Sequence, residues 1–166
     1  MSRGFVKEED QEEAPFIPPR AALPNGVENY VTPVGFALLQ TEKNELEKQR
    51  KNLDKINETE YRRNAAVIDG KMKLLNERLR SAKIIDLKQQ PKDEVRFGAQ
   101  VKFLLEDKTQ YLQIVGVDEA NLKEQKIAFI APLARALNGL KVGESSEFSL
   151  GNKTKKVQIL AIKYAK

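Results

Sequence analysis

From Thr32 onward the apolar residues recur every three or four positions, and from about residue 94 every second position; the chain changes period once. The helical stretch comes in two runs. Phe36, Leu39, Lys43, Leu46, Arg50 and Leu53 alternate in steps of three and four, with Lys43 and Arg50 weakening one of the two rows. Tyr61, Ala65, Ile68, Met72, Leu75, Leu79 and Ala82 keep an unbroken heptad seam. Thr32 is a good N-cap, Pro33 suits the first helical position, and Val31 with Phe36 can form a hydrophobic staple. Asn57, with Glu60 three residues on, makes a variant of the capping box, so the second helix should begin near Glu58. The spacing predicts a helix over 33–54, a turn of about four residues around 55–57 and a second helix that runs until the pattern changes at Ile84. Helices so joined lie antiparallel. Their outward positions are Lys, Arg, Glu, Asn and Gln, which predicts a protruding coiled-coil hairpin over 32–86 rather than two helices of a larger bundle.

Residues 87–93, with Gln89-Gln90-Pro91, read as a linker. Beyond it Val101, Phe103 and Leu105 alternate as a strand, Asp107-Lys108 as a turn, and 111–117 as a second strand. A third strand over 127–130 stops at Pro132, which opens a short helix. Phe148 and Leu150 mark a fourth, Gly151-Asn152 a hairpin turn, and Val157, Ile159 and Ala161 a fifth. The expectation for 94–166 is an antiparallel sheet with one short helix packed on it, and for the whole chain an α+β fold. Residues 1–31 hold four of the seven prolines and the acidic cluster Glu8-Glu9-Asp10-Gln11-Glu12-Glu13, with little to bury. They read as a disordered or extended tail, either passive or touching a partner through Phe5, Phe16 and Ile17.

The chain has no Cys and no His, which removes thiol and imidazole catalysis, Cys/His zinc sites and disulfides. Any metal must be held by carboxylates and carbonyls, as Mg²⁺ or Ca²⁺ are. No run approaches the ~20 apolar residues of a membrane span. The charged start lacks the apolar core of a signal peptide, so the cytoplasm is the expected compartment. The net charge of +5 is uneven: three basic and six acidic groups over 1–31, twelve and eight over 32–83, fourteen and ten over 84–166. Arg62, Arg63, Lys71 and Lys73 put a basic side on the second helix, suited to RNA phosphates or an acidic wall, although a solvated helix face carries the same residues.

Several stretches resemble one family. Pro132, Ala134-Arg135-Ala136-Leu137 and the Val142-Gly143-Glu144 turn are similar to the C-terminal domain of the Gre transcript cleavage factors. Thr32-Pro33 with Gly35, Phe97-Gly98-Ala99 and Ile114-Val115-Gly116 extend the likeness over 32–164; residues 1–31 have no counterpart. The resemblance implies an FKBP-like C-terminal domain that docks on bacterial RNA polymerase through Ala131, Pro132 and Arg135. The hairpin would then enter the secondary channel and meet the nascent RNA. In cleaving members, carboxylates at the hairpin tip help hold an Mg²⁺ shared with the polymerase. Counting back from Tyr61, Asp54 matches the family Asp and Glu60 the outer Glu, but Asn57 stands at the catalytic Glu position with Glu58 beside it. The implied metal-assisting residues are therefore Asp54 and Glu58, acting only inside the polymerase complex. The chain would hold no cofactor of its own, would not itself be an enzyme, and would act as a monomer away from membranes.

Two departures bear on function. Ala131 stands where the family usually has Ser, which removes one hydroxyl contact. Both arms of the hairpin are shorter than in cleaving members, the first by about three helical turns. The balance tips toward a channel-binding elongation regulator that does not stimulate cleavage, with an active cleavage stimulator as the alternative and a coiled-coil adaptor unrelated to transcription as a remote one. Prolyl isomerisation is disfavoured, because most of Phe97, Phe103, Tyr111, Phe129, Phe148 and Tyr164 fall at core-facing or edge strand positions and the chain has no Trp.

Overall fold

The computed structural model describes residues 14–166; the acidic cluster at 8–13 and Phe5 lie outside the described residues. The first helix, α1 (Pro33–Lys51), starts where its cap dictates: the Thr32 hydroxyl accepts from the Gly35 N–H, with Pro33 in the first turn. It ends three residues before the expected position. The Asn52 N–H closes the last turn on the Lys48 carbonyl, and the Asp54 carboxylate accepts the Ile56 N–H at 2.8 Å. This local bond offers the backbone an alternative to helix, so the connection spans 52–57. The second helix, α2 (Glu58–Ser81), begins at Asn57, whose side chain accepts the Glu60 N–H at 3.1 Å, and carries Glu58 and Glu60 in its first turn, where the helix dipole favours them. Leu39, Leu46, Ile68 and Leu75 are buried between the two helices together with Val31, and Phe36, Leu53, Met72 and Leu79 pack against them. Leu75 has no exposed surface, a burial that stabilises by roughly 2–3 kcal/mol.

Of the tail expected to be disordered or extended, the described part, 14–31, is anchored rather than disordered. Strand β1 (Asn29–Val31) pairs in parallel with β2 (Ala82–Ile84), which follows α2 directly. Upstream, the chain is extended along the hairpin. The Arg20 guanidinium donates to both oxygens of Glu42 on α1, at 2.7 and 3.0 Å, and to Asp118 at 3.0 Å; Arg78 of α2 donates to the Ala21 carbonyl. Ile17 lies so close to α2 at Gly70 that a Cβ there would come within 2.0 Å of its Cδ1.

The C-terminal domain consists of β3 (Gln100–Leu105), β4 (Lys108–Val115), β5 (Lys126–Ala128), α3 (Pro132–Leu137), β6 (Ser145–Leu150) and β7 (Lys153–Lys163). The sheet order is β5-β4-β3-β7-β6. The expected antiparallel sheet is in fact mixed, because β4 and β5 run parallel. Their connection, 116–125, is too long for a hairpin and carries a 3₁₀ turn over Leu122–Glu124 that brings β5 back alongside β4. The β3–β4 turn lies one residue earlier than expected: Glu106 and Asp107 both take left-handed φ, 47° and 68°, as a two-residue hairpin of the right twist requires. Val101, Phe103, Ile114, Val157 and Ile159 fill the core, and α3 closes it with Ala134 and Leu137. The loop after β4 presses against the hairpin base so closely that a Cβ on Gly116 would sit 2.4 Å from the Tyr30 carbonyl oxygen.

Candidate functional site

The hairpin tip is built by its caps. Asn57 spends its side-chain oxygen on the α2 N-terminus, and Asp54 spends one carboxylate oxygen on Ile56 N–H. Glu58 follows as the first residue of α2, and Asp54, Asn57 and Glu58 are all exposed. Among the described residues no three His, Cys, Asp or Glu side chains lie together in a group able to hold a metal. A hard cation takes six or more oxygens, so Asp54 and Glu58 fit only as part of a site completed from outside.

Behind the tip, Arg50 links the two helices. It donates to Asp69 at 3.0 Å and to the Tyr61 hydroxyl at 2.9 Å, with its guanidinium carbon 5.6 Å from the Tyr61 ring centroid. The hydrogen bond from Arg50 holds the Tyr61 phenol below its usual pKa, because it favours the phenolate. Arg50, which interrupts the apolar row, thus serves as a polar cross-brace between α1 and α2. The signal in the sequence was the pair it meets, Tyr61 and Asp69.

The basic residues of α2 do not share one side. At about 100° per residue Lys71 and Lys73 point roughly 160° apart. Lys71 lines a cavity of about 450 Å³ between α1, α2 and the upstream strap, alongside Pro18, Arg20, Glu42 and Asp118. Arg62, Arg63 and Lys73 are exposed.

On the C-terminal domain, Ala131 occupies the cap position of α3 without a side-chain cap bond, and Pro132 is exposed in the first turn. Arg135 is exposed on the same short helix and lines a second cleft, of about 540 Å³, between α3 and the hairpin base. Tyr30, Phe97 and Phe129 form its aromatic floor, with ring centroids 5.5–5.8 Å apart and planes inclined by 53–80°. Lys83 lies over the Tyr30 ring at 5.8 Å, and Arg96 adds a further cation. Sequence reasoning missed this cleft, because Tyr30 and Lys83 come from β1 and β2, far in the chain from Phe129 and Arg135.

Residues 90–164, the segment that carries α3 and much of this cleft, match the family described as "Transcription elongation factor, GreA/GreB, C-term". Transcription elongation factor GreB of Neisseria meningitidis serogroup B is 30% identical over 155 residues, covering 83% of this chain and 95% of that protein. The chain belongs to the GreA/GreB family of transcription elongation factors. Among other members, GreA of Sinorhizobium medicae is 36% identical over 98 residues, covering 58% of this chain and 62% of that protein. The solved GreA/GreB factor from Nitrosomonas europaea is 22% identical with a TM-score of 0.40, covering 81% of this chain and 98% of that one. In this Gre factor no described helix is long and apolar enough to cross a membrane.

Proposed function

We propose that this Gre-family protein binds bacterial RNA polymerase through the exposed start of α3, projects its hairpin into the secondary channel and regulates elongation without stimulating transcript cleavage. One observation carries the negative half of this reading. Asn57, at the position of the family's catalytic Glu, is committed as the cap of α2, and the carboxylate beside it, Glu58, belongs to the first turn of the helix. Shifting a ligand by one residue across a helix start redirects it, and metal-assisted chemistry loses orders of magnitude for ~1 Å of misplacement. The 19 residues of α1 give an arm about 28 Å long, which supports a finger that stops short of the reacting phosphate.

The alternative, a cleavage stimulator, is favoured by a different observation: Asp54 and Glu58 are both exposed at a tip braced by Arg50, Asp69 and Tyr61. In that case Asp54 and Glu58 would hold an Mg²⁺ shared with the polymerase, which would supply Lewis-acid activation of water. The chain's own part is to present the two carboxylates on a stiff arm. Retention on immobilised core RNA polymerase, together with RNA length in backtracked complexes, separates the readings. Binding without added cleavage is the expected result, and no retention would defeat both.

A further inference from the structure

The strap upstream of α1 meets two distant parts of the molecule through one residue. Arg20 donates to both carboxylate oxygens of Glu42 on α1 and to Asp118 Oδ1 in the loop after β4. On the other side of Asp118, its Oδ2 is 3.7 Å from Arg78 Nη1 of α2, and Arg78 donates to the strap itself at the Ala21 carbonyl. Arg20, Arg78 and Asp118 bury most of their side chains. Among the described residues Arg20 is the one hydrogen-bond donor to the Asp118 carboxylate, because Asp118 Oδ2 and Arg78 Nη1 have no hydrogen-bond partner. Removing Arg20 leaves a buried carboxylate facing Arg78 beyond hydrogen-bond distance, a state that burial penalises.

Position gives these contacts leverage. The finger meets the C-terminal domain at its base, where Thr32 bonds to Glu119 and Tyr30 packs on Gly116. Contacts at the base act on a short lever against the tilt of a long arm, and a tie higher up resists the same tilt with less force. Glu42 lies about 15 Å along α1 from Thr32, and Gly70, where Ile17 sits, about 18 Å along α2 from Ala82. The strap therefore joins both helices, well above the base, to the 116–125 loop. Between its anchors at Ile17 and Arg20, Pro18 and Pro19 each fix φ, so this stretch is stiff rather than slack.

We infer that residues 17–21 form a strap that fixes the angle of the finger on the C-terminal domain, with Arg20 as its positioning residue. Its seat is made by Glu42, Gly70, Arg78 and Asp118. Gly70 belongs to that seat because any side chain there meets Ile17. The strap lies outside the family likeness, which begins at Thr32. It goes beyond the proposed function and stands or falls independently of it: the direction of the finger is set within the free chain, before any partner is met.

The test is a finger-to-domain distance in the full chain. The protein has no Cys, so spin labels at Asn64→Cys on α2 and Ser149→Cys on β6, both exposed positions, report that distance alone. Dipolar electron-spin spectroscopy compares the labelled chain with the same chain carrying Arg20→Ala or Glu42→Ala. The expected result is one narrow distance with the strap intact, a distribution at least about twofold broader in Arg20→Ala and a smaller broadening in Glu42→Ala. Hydrogen exchange within α1, α2 and β3 should stay as in wild type, which separates a freed arm from an unfolded one. If Arg20→Ala does not fold, Glu42→Ala decides, since the Glu42 side chain is partly exposed. A broad distribution with the strap intact, or an equally narrow one in the variants that fold, would overturn the inference.

Discussion

The Thr32 hydroxyl donates to Glu119 Oε1 at 2.5 Å while accepting the Gly35 N–H at 2.9 Å, so one buried side chain caps α1 and ties it to the C-terminal domain. The other Glu119 oxygen is 3.3 Å from Lys126 Nζ on β5. A residue readable from sequence as a helix cap is therefore also the pin of the joint between finger and domain.

Thr32→Ala should lower stability by about 1–3 kcal/mol, since it removes the cap and leaves a buried carboxylate oxygen without its donor. Thr32→Ser, which keeps both bonds, should stay close to wild type. Denaturant unfolding of the two variants checks this. Equal loss in both would mean that the methyl group rather than the hydroxyl matters.

Gly70 is the place where the upstream strap touches α2. Gly70→Ala should favour the helix by up to ~1 kcal/mol through propensity while driving Ile17 off its seat. Tryptic cleavage after Arg20 should quicken while hydrogen exchange within α2 stays as in wild type. Adding Ile17→Ala should relieve the clash. An unchanged strap in Gly70→Ala would mean that Ile17 is not packed there.

Leu75→Asp places an unpaired charge in the seam and should splay the hairpin. The C-terminal domain has a core of its own around Phe103 and Ile159, so its exchange protection should persist. Loss of protection in both parts would show that the sheet depends on the hairpin for its stability.

Because Arg50 lowers the Tyr61 pKa, Arg50→Ala should move this titration back up toward about 10 in an ultraviolet pH titration. The sign follows from a depressed folded value: the contribution to stability is fully present only above the unfolded pKa and is lost as pH falls through the folded one. It is therefore absent at neutral pH. A Tyr61 titration that does not move in Arg50→Ala would contradict the brace.

The hairpin was legible because its signals are local or periodic. Thr32 and Asn57 reveal caps through a three-residue rule, and the seam from Tyr61 to Leu79 repeats without a break. The early end of α1 was not legible, because it depends on Asp54 turning onto Ile56 rather than on any period. Nor was the parallel β4–β5 pair, since alternation marks a strand but not the direction of its neighbour. The strap escaped notice because its anchors are single contacts at long range, Arg20 with Asp118 and Ile17 with Gly70. At the site, Asp54, Asn57 and Glu58 could be placed at the tip from sequence, whereas the cleft needs Tyr30 and Lys83 brought to Arg135 by the fold.

The most direct test of the central claim uses a backtracked RNA polymerase complex with Mg²⁺, to which the full chain is added while retention and RNA length are followed together. The account predicts that the protein stays bound and that RNA shortens no faster than with polymerase alone. Rapid shortening that disappears in Asp54→Asn would contradict it and establish the tip carboxylates as working ligands.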